Sequence, residues 1–343
     1  MRMQTKRFSI GLALACLVAA VFPINASATN PDWQGRWALT REGGGAGWLE
    51  ITQQDGYLDG KILWRWGSVA AVSSVTLDGD LLWVTRVRQI ERKDAAGKVV
   101  RTQQLTETWR LEADAEQVRG EYLSPQPDGR ALVREAFSAV RIPELPPRPD
   151  LSKLRFGEAV DLLAGSSLDG WELTDPQSVN GWSVTEHGVL VNDPVQTEGE
   201  PHIHYGNLRT VAEFEDFSLS FEVRVPEKGN SGVYLRGVYE VQVLDSAHRD
   251  ASALNMGAIY SRIAPATRAE RPAGTWQQMD IMLVDRHVTV RLNGTVVIDN
   301  QALTGITGGA LWADELRPGP IYLQGDHTGV EYRNLQLRPV LDQ

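Results

Sequence analysis

The stretch GNSGVYLRGVYEVQVLDS, Gly229 to Ser246, alternates polar and aliphatic residues at period two and predicts two strands joined near Gly237. In the first, Val233 and Leu235 point one way, and Gly232, Tyr234 and Arg236 the other. In the second, Glu240 and Gln242 share a face, opposite Tyr239, Val241, Val243 and Asp245. A surface that gathers Arg, Glu and Gln is either washed by solvent or forms the floor of a binding cleft. Gly229, Gly232 and Gly237 suit tight turns and close backbone approach, which favours the cleft.

The same periodicity runs outward on both sides. Phe217, Leu219, Phe221 and Val223 alternate with Ser218, Ser220, Glu222 and Arg224, one face apolar and the other polar. Together with strand-like WQQMDIMLV and HVTVRLNGTVVI and turns such as Leu292-Asn293-Gly294, this predicts an antiparallel sandwich over residues 154–343. No segment has the length and period of a substantial helix, which argues against α/β folds and dinucleotide binding.

Upstream, Pro143, Pro146, Pro147 and Pro149 predict a linker over 143–153, because such a run resists both helix and central strand. Before it, residues 29–142 read as short antiparallel strands between D-G and P-D-G turns, a small all-β barrel or sandwich. Seven of the eleven tryptophans fall there: Trp33, Trp37, Trp48, Trp64, Trp66, Trp83 and Trp109. They either fill its core or stack on sugar rings, and Trp64 and Trp66, on one strand face, are the candidates for an exposed pair.

At the amino end, Arg2, Lys6 and Arg7 precede an apolar run, Phe8 to Phe22, and the triplet Ala26-Ser27-Ala28, the pattern of an export signal over residues 1–28. The expectation is a protein exported to the periplasm or beyond, with acylation at Cys16 as the alternative. Cys16 is the only cysteine, so cleavage after Ala28 leaves no disulfide or thiolate site. No later stretch approaches the ~20 apolar residues of a membrane helix. The net charge of −10 becomes −13 without the three basic leader residues, and the excess acid lies beyond residue 142. That balance argues against nucleic acid and fits a neutral small molecule or sugar.

The strings DFSLSFEVRVPEKGNSGVYLRGVYEVQVLDS, GAIYSRIAP, PAGTWQQMDIMLVDRHVTVRLNG and GPIYLQGDHTGVEYRNLQLRP, in that order, resemble the 3-keto-disaccharide hydrolase-like family. LLAGSSLDGW resembles its opening, although Ala164-Gly165 stands where Asn-Gly is more typical. The resemblance covers about residues 156–340. It implies a concanavalin A-like jelly-roll sandwich acting on oxidised oligosaccharides or glycosides, with a sugar 3-dehydrogenase upstream.

The chemistry follows from the ketone. A carbonyl at C3 acidifies the C2 proton, a base removes it, and the enolate expels the group at C1. Water added later gives hydrolysis; release of the unsaturated product gives a lyase. Such a site needs a base, donors or cations near O3, and an acid near the leaving oxygen. The residue types that fit are Glu240 as base or hydroxyl acceptor, Asp326 and His327 as an acid–base pair or metal ligands, and Arg236, Gln242, Gln324 and Arg333 as substrate contacts. Asp245 and Tyr260 are further contacts, or only loop ties. A divalent metal is left open: His202 and His204, spaced i and i+2, share a face if they lie on a strand, and Glu200 or Asp326 would complete the set. The alternatives to an enzyme are a non-catalytic carbohydrate-binding protein and a structural module.

Overall fold

Period-two patterning becomes three antiparallel sheets in the computed structural model, which describes residues 32–113 and 117–342. The export signal and its Cys16 lie outside the described residues. The one helical turn among the described residues is the 3₁₀ turn Leu151–Lys153, capped by the Asp150 carboxylate.

The first sheet holds nine strands. Gly35–Arg41 is an inner strand, pairing with Ala46–Gln54 on one side and Leu132–Ile142 on the other. The edge strands Ala70–Ala71 and Ser74–Asp78 are joined by a short connector in which Val72 donates to the Gly60 carbonyl and Ser73 to the Thr85 carbonyl. The sheet therefore curls until its edges meet. Its interior collects Trp33, Trp37, Trp64, Trp109, Tyr122 and Phe137 with Leu39, Leu49, Ile51, Ile62, Leu82 and Val84.

Most of the tryptophans are thus core, as large aromatics usually are. The expected exposed pair does not form. Trp64 ends the strand Tyr57–Trp64 inside this core, while Arg65, at φ 81°, breaks the alternation and sends Trp66 out to 76% exposure.

Residues 155–342 form the two sheets of a sandwich. The larger includes Phe217–Arg224, Gln277–Val284, His287–Leu292 and the long Val330–Asp342; the smaller runs Trp171–Leu173, Leu208–Thr210, Tyr322–Leu323, Asn230–Leu235, Tyr239–Leu244. Phe217, Leu219, Phe221 and Val223 from one sheet share a core with Val233, Leu235, Tyr239, Val241 and Val243 from the other. Asn293 and Gly294, at φ 49° and 84°, make the predicted two-residue turn between His287–Leu292 and Thr295–Ala302.

Ala46, Trp48, Leu63 and Ile142 of the first sheet belong to the sandwich's core cluster. The proline-rich join is held down: Arg286 donates to the Pro143 and Glu144 carbonyls, and Asn300 to that of Pro149. Beneath it, Arg286 lies 3.6 Å from the buried Glu315, with Arg36 and Arg262 also acting on that carboxylate. Arg262 in turn stacks 4.0 Å over Trp48 and donates to the Ile306 carbonyl. These contacts set where the first sheet's loops fall on the sandwich.

Candidate functional site

A cavity of about 550 Å³ opens on the face of the smaller sheet that turns away from the sandwich core. That size suits a small molecule of one or two rings. Strand parity explains its floor. Tyr239, Val241 and Val243 point into the core, so Glu240 and Gln242 point out of it, and Tyr234 sits opposite Glu240 in the neighbouring strand. Gly232, opposite Gln242, has no side chain for a reason: a methyl group there would collide with Glu240 Oε1. Tyr322 stacks on Tyr234 at 4.2 Å, and Asn207 donates to its hydroxyl at 3.0 Å. The loop after Tyr322–Leu323 adds Gln324, Asp326 and His327 to the wall.

Glu240 is 4% exposed, and its surroundings determine its proton. Burial pushes its pKa to about 8; a hydrogen bond with Tyr234 and the charge of His327 offset only part of that. Tyr234 Oη lies 2.7 Å from the Gly308 carbonyl oxygen and 3.0 Å from Glu240 Oε2. A hydroxyl has one proton and a carbonyl can only accept, so the proton goes to Gly308. While Glu240 is protonated, the Tyr234 oxygen accepts from its Oε2–H; once Glu240 ionises, the hydroxyl turns and donates to Oε2, the bond that lowers the pKa. Gln242, with its amide nitrogen turned inward, donates to Glu240 Oε1 at 3.0 Å and to the Ser231 carbonyl at 3.1 Å. The carboxylic acid is thereby satisfied at both oxygens without any cation.

His327 Nδ1 lies 2.9 Å from Asp326 Oδ1. That bond and the Asp326 charge raise the imidazole pKa, although partial burial opposes them. Burial raises Asp326 as well, but the bond and charge of His327 outweigh it and leave the carboxyl below its usual range. Glu240 and His327 each act on the other's charge across the cavity. Two buried acceptors of wall residues, Asn230 Oδ1 and Gln324 Oε1, have no protein partner. Hydroxyl groups of a ligand would supply the missing donors.

The structure brings together six of the expected residues: Glu240, Gln242, Tyr260, Gln324, Asp326 and His327 all line this cavity. Three others go elsewhere. Arg236 lies past the strand end at φ 54°, so parity no longer governs it, and its guanidinium donates to the Glu315 and Arg317 carbonyls. It anchors a loop and does not pair with Glu240. Arg333 follows the core residue Tyr332 and so faces outward from the larger sheet, where it holds Glu222 at 2.9 and 3.0 Å and stacks over Trp276. Asp245 accepts from the Lys228 backbone amide at 2.8 Å, tying a loop.

The histidine pair lies in a loop, not on the strand that a shared face for metal binding requires. His202 and His204 sit outside any named strand, exposed, with ring centroids 5.0 Å apart. Among the described residues no group of three His, Cys, Asp or Glu is arranged to hold a metal ion. Sequence reading missed Tyr322, Asn207 and Asn230, and placed Tyr234 on the polar face without giving it a role. Trp66 and Gly67, in the loop after Tyr57–Trp64 of the first sheet, and Gly308, Gly309 and Leu311 also reach the cavity; no local pattern announces such long-range contacts.

Residues 158–338 match the family described as the 3-keto-alpha-glucoside-1,2-lyase-like domain. The chain belongs to that family. The 3-keto-alpha-glucoside-1,2-lyase-like domain thus spans all but the outermost few residues of the sandwich and includes the cavity floor, while Trp66 and Gly67 lie outside it. No curated protein matches the sequence. Among solved structures, one described as a "putative glycosyl hydrolase" from Parabacteroides distasonis ATCC 8503 is 27% identical, with 57% of this chain and 94% of that chain covered at a TM-score of 0.45. A second so described from the same organism is 19% identical, covering 54% and 94% at 0.41. The carbohydrate-binding module CBM66 from Bacillus subtilis is 12% identical, covering 50% and 94% at 0.31.

Proposed function

We propose that the protein cleaves the glycosidic bond of 3-keto glycosides by elimination, with His327 and Glu240 as the proton-transfer pair. The observation that carries this reading is two titratable groups facing one cavity, Glu240 holding a proton up to about pH 8 and His327 oriented by Asp326. Asp326 binds Nδ1 and leaves Nε2 to take the C2 proton. The C2–H electrons form the enolate. As they return, the C1–C2 double bond forms, the C1–O bond breaks, and the departing oxygen takes the proton from Glu240 Oε2. This gives Glu240 the acid's role in place of the base's. His327 is left protonated and Glu240 ionised, and the proton passes back before the next turnover. Added water completes a hydrolase; without it the protein is a lyase.

With Arg236 and Arg333 outside the cavity, none of the residues that line it is Lys or Arg. The enolate oxygen would rely on neutral donors such as the amides of Gln324 and Asn207, which cost little reorganisation when held in place. The test is to incubate purified protein with a 3-keto disaccharide and its unoxidised parent and follow products by mass spectrometry. Cleavage of the ketone alone is expected. Binding of either sugar with no cleavage would replace the enzyme reading with a lectin-like one, and cleavage of the parent would remove the ketone from the mechanism.

A further inference from the structure

We propose that Trp66, supplied by the first sheet, is the stacking platform for the ring that leaves C1 of the substrate, so that residues outside the family domain select the glycoside. Glu240 lies at the cavity floor, 4% exposed, and Trp66 at its lip, 76% exposed. A ring whose C2 and C1 must reach Glu240 and His327 fills the floor, and whatever is joined at C1 extends toward the indole. A hexopyranose or aromatic ring presents a flat C–H or π face, the surface an indole packs against.

The indole is exposed but its backbone is not free. Arg65, a non-glycine at φ 81°, is held by Glu135 at 2.6 Å on the first-sheet side. Gly67, at φ 83°, packs so closely on Gly308 that a methyl group at 308 would strike the Gly67 backbone. Val69 donates to Ser261 Oγ at 2.9 Å, and Ser68 Oγ lies 3.4 Å from Tyr260 Oη. The strained backbone at Arg65, fixed on both sides of the loop, holds the exposed indole at the mouth of the cavity, as a ligand contact positioned in advance would be. The same Gly308 whose carbonyl receives the Tyr234 proton is the seat of this loop, so the platform and Glu240 are positioned by one contact.

The proposal rests on the glycosidase reading above, and its experiment separates the two. The values of kcat/KM for a 3-keto disaccharide and for methyl 3-keto-glucoside are compared in the wild type and Trp66→Ala. The preference for the disaccharide is expected to fall ~10-fold or more, mainly through KM, and Trp66→Tyr to restore most of it. An unchanged preference, with both substrates losing equally or neither losing, overturns the platform. If the wild type cleaves neither, the reaction reading fails and the platform is judged by calorimetric titration with the unoxidised disaccharide. Binding that Trp66→Ala abolishes supports it; equal binding by both proteins, or none by the wild type, overturns it.

Discussion

Two strand pairs in the sandwich carry the same period-two pattern and end in opposite states. Along Phe217–Arg224 and most of Gln277–Val284, buried residues alternate with half-buried ones, while Tyr239–Leu244 is buried at every position and Asn230–Leu235 at all but its first. The second pair is covered on its far face: Leu311 donates to the Gly237 carbonyl, Thr307 accepts from the Glu240 amide, and the Gly67 backbone closes over Gly308. Each pair holds a carboxylate on its non-core face. Glu222, on the open face, binds Arg333 and Asn334, which hold its pKa below the usual range; Glu240, on the covered face, is pushed up to about 8. The contrast teaches that coverage, and not residue type, decides which acid is available for proton transfer near neutrality.

The sharpest way to break this comparison is Glu240→Gln. An amide reproduces the protonated acid's pattern, accepting from Gln242 and donating to Tyr234, so the fold is expected to persist while turnover of a 3-keto glycoside drops ~100-fold or more. Stability gives an independent reading. Folding raises the Glu240 pKa, so its contribution is complete below the unfolded carboxylate value and is lost as pH rises through about 8. The variant is spared that loss, and at pH 8 it should unfold at a higher denaturant concentration than the wild type. Normal turnover, or a variant weaker than wild type at pH 8, would remove Glu240 from the site.

Asp326→Asn is expected to act less severely and in a specific direction. For the wild type, kcat/KM should rise as His327 loses its proton, above the ordinary imidazole value because Asp326 raises it, and fall as Glu240 ionises near pH 8. Removing the Asp326 charge lowers the His327 pKa, so the acid limb moves to lower pH; the same charge helps to raise Glu240, so the alkaline limb also moves down from about 8. Turnover should fall ~10-fold or more from lost orientation of the ring. A pH–rate profile in which the acid limb does not move would mean that His327 is not the group read there.

The smallest effect belongs to the open face. Glu222→Gln loses a half-exposed ion pair and should cost less than ~1 kcal/mol at neutral pH, with turnover unchanged. Because Glu222 has a lowered pKa, that difference is present above the usual carboxylate range and vanishes as pH falls through its folded value. A loss of turnover comparable to that of Glu240→Gln would erase the distinction between the two faces.

Much of this protein is decided locally. Period-two alternation alone specifies strands and the core-facing residues of each, since neighbouring side chains on a strand must point to opposite faces; Val233, Val241 and Phe221 are core and Glu240 and Gln242 are not for that reason. Parity ends where the strand ends. Arg236 and Arg65 adopt positive φ one residue past their strands, so alternation misdirects Arg236 toward the cavity and wrongly keeps Trp66 on the face of Trp64. Parity also names two faces without saying which is covered, and so could not separate Glu240 from Arg333. That depended on contacts between residues far apart in sequence: Gly67 on Gly308, His327 beside Asp326 across from Glu240, and the buried arginines around Glu315. Dehydration of a carboxylate depends on everything packed around it, and only the tertiary structure assembles that surrounding.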